Sequence, residues 1–514
     1  MNRWKRAAVV AAVVSLGSGI TACSSGSSGS SSKGTAHGGT LTLGLPGAFN
    51  SLKAAGAGWG NGSPILQAAY DTLLHATASD NTPVAWLATS WTYNSDKTVL
   101  TLKLRSDVTF SDGAKFDADA AAQNLTRFRD STSPLASQLA TLKDAKAVDA
   151  TTLQLTLSAP NPALLISLSQ APGLMESPKA FTSKTIDTVP VGSGPYVFDA
   201  SATVNGSKYV FTKNPTYWAK DQQYFDKVIF NVLTTPSTEL NAIKGGQVDG
   251  LNLTDPSIAS QVTSTAGFSI AKNDLDWTGM ILLDRDGKLT PALKDVRVRQ
   301  AINYAVDRDA LLKAAGKGAG TVTSSVFPTY SPGYDKALDS YYTYDPDKAK
   351  QLLSEAGFSS FTLKMPFIPG LGETGNNLAK EYLGKVGIKV EFTSTPLNNL
   401  IADMLAQKFP AMVFSLQEDS NAFQEANFLL AQSAVFNPFH VPDATLAGLV
   451  TKIQTGSEDE ANQATKDLND YVVKQALMNP WYRSTGQYAV GPKITVDVQA
   501  GNAYPYLYNI RPKG

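Results

Sequence analysis

Leucines stand at every second position of "TVLTLKLRSDVTFSDG" (98–113), at Leu100, Leu102 and Leu104. That spacing fits a strand with one apolar face. Turn residues bracket it, "NSD" (94–96) before and "SDG" (111–113) after, as in a hairpin or meander. "GGTLTLGLP" (38–46) alternates in the same way at Leu41, Leu43 and Leu45, and "TTLQLTLSAP" (151–160) alternates until Pro160 ends it. Strands apolar on one side need a layer to cover that side.

Helical stripes supply the layer. "DVRVRQAINYAVDR" (295–308) sets Val298, Ala301, Ile302 and Ala305 on one face. "DPDKAKQLLSEAGF" (345–358) carries Asp345 as N-cap, Pro346 at the first helical position and Gly357 as the stop, with a stripe of Ala349, Leu352, Leu353 and Ala356. "NNLAKEYLGKVG" (376–387) ends at Gly387 and leads into the strand "IKVEF". Asp117 is the expected N-cap of "ADAAAQNLTRF". "PILQAAYDTLL" (64–74) is predicted as a helix with Ile65, Ala69, Thr72 and Leu73 inward. Strands first and strands interleaved with helices later describe an α/β protein with mixed sheets and no internal repeat.

The lone cysteine, Cys23, follows a basic cluster (Arg3, Lys5, Arg6) and a short apolar run from Ala7 to Val14. That is the layout of a secretory signal, and the run is too short to span a bilayer, which takes roughly 20 apolar residues. Ile20-Thr21-Ala22-Cys23 resembles the bacterial lipobox, in which the cysteine is lipidated and becomes the mature N-terminus. A plain secretory signal with an idle cysteine is the alternative. Ser24 to Gly39 is nearly all Ser, Gly and Lys, a flexible tether of roughly 20–25 Å.

Hydrophobic content of 43% and charged content of 17% are those of a globular body. Lys+Arg and Asp+Glu both number 44, so net charge gives no hold on nucleic acid or an acidic lipid surface. His37, His75 and His440 fall in no metal-ligand spacing. There is no G-x-S-x-G, no P-loop and no G-x-G-x-x-G; "GAGWGNG" (56–62) and "GKGAG" (316–320) lack the last glycine. No cofactor and no metal are expected, and no carboxylate pair is singled out for acid–base chemistry.

"LATSWTYNSDKTVLTLKLRSDVTFSDGAKFDADA" (87–120) resembles the signature region of the extracellular solute-binding proteins of family 5, the dipeptide, oligopeptide and nickel binders of ABC importers. "VGSGPYVF" (191–198), "KNPTYW" (213–218), "FDKVIFNVL" (225–233), "NAIKGGQVD" (241–249) and the helical strings above follow in the family's order, from about residue 39 to about 490. The resemblance implies a two-lobe periplasmic-binding-protein-like fold of type II, in the large family-5 form, with an inserted subdomain in the first lobe. It implies a signal peptide over 1–22, a lipid-anchored tether over 23–38, a first lobe over 39–280, a second over 281–476 and a return segment over 477–514 completing the first. The crossings near "LDWTGMI" (275–281) and "NPWYRS" (479–484) are the expected hinge. The protein is then no enzyme. The expectation is an extracytoplasmic monomer held by lipidated Cys23 on the outer face of the cell membrane, handing a peptide or other small solute to membrane permease subunits.

Peptide-binding relatives hold the terminal amine with an aspartate in a W-x-x-D-x-x-D-P segment. "LQEDSNAF" (416–423) places Asp419 on that aspartate, but Leu416 replaces the tryptophan and Ala422-Phe423 the Asp-Pro. An ordinary loop carboxylate is the other reading of Asp419. Dipeptide relatives also use an arginine after a Met-Pro; "KMPFIPG" (364–370) has Pro369 there, which favours longer peptides. Arg483 is a candidate for a ligand carboxylate or for a structural ion pair. Of seven tryptophans, Trp4 is in the signal, Trp91 and Trp218 fall in family-wide strings and Trp86 in the run "PVAWLATSW" (83–91). Trp59, Trp277 and Trp481 remain, and with Phe49 they are candidates for stacking on ligand or for core packing. An oligopeptide is the first expectation, an oligosaccharide or other non-peptide solute the second, and an exported enzyme a distant third.

Overall fold

The computed structural model describes residues 38–133, 135–369, 371–417 and 421–513. The signal, Cys23, the tether up to residue 37 and Asp419 lie outside the described residues.

A mixed nine-stranded sheet runs through the body. Its order is Ala411–Gln417, Ser269–Leu282, Met478–Val490, Gly250–Asn252, Thr40–Leu45, Lys227–Val232, Lys208–Lys213 and Tyr196–Phe198, with Gly320–Val322 added beside Met478–Val490. Thr40–Leu45 pairs in parallel with both neighbours, and the remaining pairs are antiparallel. A second sheet of four antiparallel strands holds Ala88–Tyr93, Val99–Leu104, Thr152–Leu157 and Leu142–Asp149. Its leucines at 100, 102, 153 and 155 are fully buried, as their alternation requires.

The apolar interior falls into three large clusters. One gathers Leu41, Leu43, Leu100, Phe211, Phe230, Tyr488 and Tyr504. The other two flank the far end of the large sheet. Met280 and Leu282 point into a cluster with Val298, Ile302, Leu363 and Leu383, whereas Ile281 and Leu283 point into one with Phe327, Met412 and Leu468. A strand covered on both faces must be apolar at consecutive positions, and "MILL" (280–283) is.

The predicted helix signals hold. Helix Ala118–Arg129 is capped by Asp117, and Val296–Ala305 buries Val298, Ala301, Ile302 and Ala305. Helix Pro346–Glu355 is capped by Asp345, which accepts from Lys348 N at 2.8 Å. Gly357 (φ +81°) and Gly387 (φ +95°) adopt the left-handed stop conformation. The helix predicted over 64–74 is shorter: Ser63–Ala69 is helical, and Tyr70 turns extended. Leu74–Ala76 then pairs with Pro83–Ala85. Gly194, whose backbone lies against Ala69 and Tyr70, and Asp71, bonded to distant aromatics, draw the chain out of the helix.

The last stretch of chain returns to the first cluster. Trp59 Nε1 donates to Tyr506 Oη (2.9 Å), Leu507 N to Gln67 Oε1 (2.6 Å), Asn81 Nδ2 to Ala500 O (3.1 Å) and Gln499 Nε2 to Thr77 O (2.7 Å).

Candidate functional site

Two long antiparallel strands, Ser269–Leu282 and Met478–Val490, form a ribbon joining the first cluster to the other two. The ribbon is not regular. Asp274 opposes Thr485 and Trp277 opposes Arg483, so Leu275 and Asp276 together face the single residue Ser484. This is a two-for-one bulge, a device that re-aims a side chain. Ser484 Oγ fills the gap: it accepts from Asp276 N (3.3 Å) and donates to Asp276 O (3.2 Å). A second shift follows, where Thr278 opposes Tyr482 and Gly279 opposes Pro480. Proline cannot donate to the ladder, and a Cβ at Gly279 would lie 2.3 Å from Asn479 O. A glycine is therefore required there.

Polar side chains collect beside the bulge. Arg483 is fully buried; its Nη1 pairs with Asp339 Oδ1 at 2.6 Å and its Nη2 donates to Phe327 O at 2.6 Å. Asp339 also accepts from Thr323 Oγ1 and Tyr334 Oη, each at 2.7 Å. Burial, with the neighbouring Asp339 carboxylate, pushes the Tyr334 phenol up to about 12. Asp274 Oδ2 accepts from Thr329 Oγ1 at 3.1 Å. Asp276 differs. Its carboxylate has no hydrogen-bond or ion-pair partner among the described residues, and burial raises its pKa with no cation to offset the effect.

The candidate residues separate. Trp277 and Trp481 are completely buried, in different clusters, so neither ring lines a cleft. Trp277 Nε1 lies buried without a hydrogen-bond partner among the described residues. Arg483 sits in the structural ion pair with Asp339. Trp59 and Phe49 are half-buried in one loop: Trp59 meets Tyr506 edge-on at 5.5 Å, and Phe49 meets Tyr209 at 6.2 Å. Leu416 opposes Trp277 and packs in its cluster. Where the peptide-binding pattern has Asp-Pro, Ala422 and Phe423 open the helix Ala422–Leu429, capped by Asn421. Sequence reasoning passed over Asp276, although "LDWTGMI" was marked as a crossing. Its one signal there is a carboxylate inside an otherwise uncharged string.

Away from the ribbon, the four-stranded sheet and its loops touch the segment 421–456. Lys97 Nζ donates to Gly456 O (2.9 Å), Gln454 Nε2 to Pro160 O (2.9 Å) and Asn421 Nδ2 to Pro162 O (3.2 Å). A separate cavity of about 30 Å³, room for a water, lies in the first cluster beside Asp71, His75, Trp86, Tyr217 and Tyr508. Asp71 accepts there from Trp86 Nε1 (2.8 Å), Tyr217 Oη (2.8 Å) and Trp218 Nε1 (3.2 Å), and burial still pushes its carboxyl up to about 6. The His75 ring is stacked between Trp86 at 3.8 Å and Tyr508 at 3.9 Å, and burial lowers its pKa. That cavity is too small for a solute. Among the described residues, no three His, Cys, Asp or Glu side chains converge as metal ligands.

The family model of bacterial extracellular solute-binding proteins, family 5 Middle, matches residues 82–435. The chain is similar to the nickel-binding periplasmic protein of Escherichia coli (strain K12), 32% identical over 304 residues, and to the glutathione-binding protein GsiB of the same strain, 28% identical over 329 residues. The matches cover 56% and 62% of this chain, and the chain spans the same shares, 56% and 62%, of the two relatives' lengths. A structure of DppA from Helicobacter pylori in complex with the peptide STSA shares the fold, with a TM-score of 0.75 at 20% identity, over 93% of this chain and 99% of that one.

Proposed function

Because the chain belongs to family 5 of the bacterial extracellular solute-binding proteins, we propose that it captures a solute between two lobes and presents it to the permease of an ABC importer. An oligopeptide is the first candidate. The lobes are assigned as 39–280 with 477–514, and 281–476, which agrees with three apolar clusters joined by one ribbon. The observation that carries the reading is the trio of contacts at Lys97, Gln454 and Asn421. They tie the two parts together at points other than the ribbon, as in a clamshell that has shut. Ligand that touches both lobes only when shut biases that equilibrium, and the reading asks for no chemistry on the solute.

Relatives support a peptide without fixing it. One structural neighbour holds the peptide STSA, and one relative is a glutathione-binding protein. A thermal-shift screen of peptide and oligosaccharide pools separates the first two candidates. Small-angle scattering with the successful pool should show a smaller radius of gyration. If it does not change, either two-lobe closure fails or the ligand-free protein is already shut, and Lys97→Ala separates the two. We assign the anchor to Cys23. Cys23→Ala should then leave the protein unprocessed or free of the membrane, and a processed, membrane-bound variant would refute the anchor.

A further inference from the structure

Asp276 is a carboxylate that the proposed binding role does not yet use and that no described partner engages. It stands at the two-for-one bulge of the ribbon, where the backbone is held by Ser484 on both its N–H and its C=O. Those bonds satisfy the main chain and leave the carboxylate out. The side chain keeps some surface open to solvent, yet it is hemmed in enough for desolvation to act on it. Every other carboxylate of this neighbourhood is engaged: Asp339 by Arg483, Thr323 and Tyr334, and Asp274 by Thr329. The buried cations beside the ribbon are turned elsewhere: Arg483 to Asp339, and Arg308 to Asn303 and the carbonyls of Thr323, Tyr342 and Pro480.

A carboxylate that is crowded but unpartnered costs stability. Removing it from water is offset only when a cation or donors meet it. The backbone here is built to aim it: the extra residue rotates the side chain out of the regular pleat, and Ser484 keeps the ladder from collapsing around it. No described residue supplies the counter-charge.

We propose that Asp276 is the counter-charge for a cationic group on the solute, so that the solute class is one bearing a primary ammonium or a comparable cation. This rests on the solute-binding reading and narrows it: an N-terminal amine or a basic side chain meets the requirement, and a neutral sugar or a purely anionic solute does not. The carboxylate and the ammonium form a charge-assisted hydrogen bond.

The test is calorimetric titration of the purified protein and of Asp276→Asn with tetra-alanine, N-acetyl-tetra-alanine and spermidine. Wild type should bind at least one of the two amine-bearing probes, and Asp276→Asn should bind that probe about tenfold or more weakly. N-acetyl-tetra-alanine should bind both proteins alike. Asp276→Asn should melt no lower than wild type, since no described partner is lost; Asp276→Ser is a second variant with the same expectation. The proposal is overturned if neither amine-bearing probe binds, if the variant binds them as wild type does, or if both variants melt well below wild type. Should spermidine respond to Asp276 while tetra-alanine does not bind, the counter-charge stands and the oligopeptide reading falls. Should tetra-alanine bind both proteins equally, the oligopeptide reading stands and the counter-charge falls.

Discussion

Asp71 is buried and Asp276 half-buried, and desolvation raises both carboxyl pKa values. Asp71 accepts from two indoles and a phenol inside the first cluster. Asp276 accepts from no described residue. A satisfied buried carboxylate ties elements together: Asp71 holds Trp86, Tyr217 and Trp218 to the end of helix Ser63–Ala69. An unsatisfied one has no such duty, and its cost must be met from outside the chain. The difference separates architecture from recognition within one residue type.

The Arg483–Asp339 pair is the strongest check on that distinction, because Arg483 is charged, buried and fully engaged. Arg483→Met should lose about 4 kcal/mol in urea unfolding, since it strands Asp339. A loss under 1 kcal/mol would mean that engagement does not mark a structural role. The next effect is on pH. Unfolded Asp71 releases its proton near 3.8, while the folded protein holds it to about 6. Unfolding therefore releases a proton between these values, and stability falls as pH rises through that window, by about 3 kcal/mol from this group. Unfolding of wild type and Asp71→Asn at pH 4 and pH 7 isolates it, because the variant lacks that component.

Asp71→Ala at pH 7 should cost about 2 kcal/mol. Three orphaned donors outweigh the relief of removing a buried charge. Equal stability would place Asp71 in the same class as Asp276. Asp276→Asn should sit near zero, within about 1 kcal/mol and on the stabilising side. Smallest of all, Lys97→Ala removes an exposed contact to Gly456, and should change stability by less than about 0.5 kcal/mol. Its use is in scattering: it should shift the ligand-free protein toward a larger radius of gyration if the contact holds the shut form.

Much of the fold was legible because its causes are local. Val298, Ala301, Ile302 and Ala305 declare a helix by their own spacing, and Asp345, Pro346 and Gly357 mark both ends of another. Tyr70 was not legible: what ends its helix is glycine backbone at 192–194 and an aromatic pair at 217–218. The tryptophans left two readings open for a related reason. A ring's position in a crossing segment does not say which face of the strand it takes, and Trp277 and Trp481 take buried ones. Asp276 depends on a register shift against a strand 208 positions away, which no local pattern records. The half-matched segment at 416–423 was legible as a departure from the peptide-binding pattern, and Leu416 in the core gives the departure a packing role.

The return of the last residues to the first cluster has a consequence in time. Trp59 and Tyr506 are separated by 447 positions, which a ribosome covers in roughly 20–90 s. Until then Trp59, Gln67 and Asn81 lack the partners that close their cluster. The beginning of the chain thus cannot finish folding before the end has been made, and its long-range contacts slow it further. For a member of a family that works outside the cytoplasm, that delay is useful: a polypeptide that is late to lock is still loose enough to be threaded through a membrane.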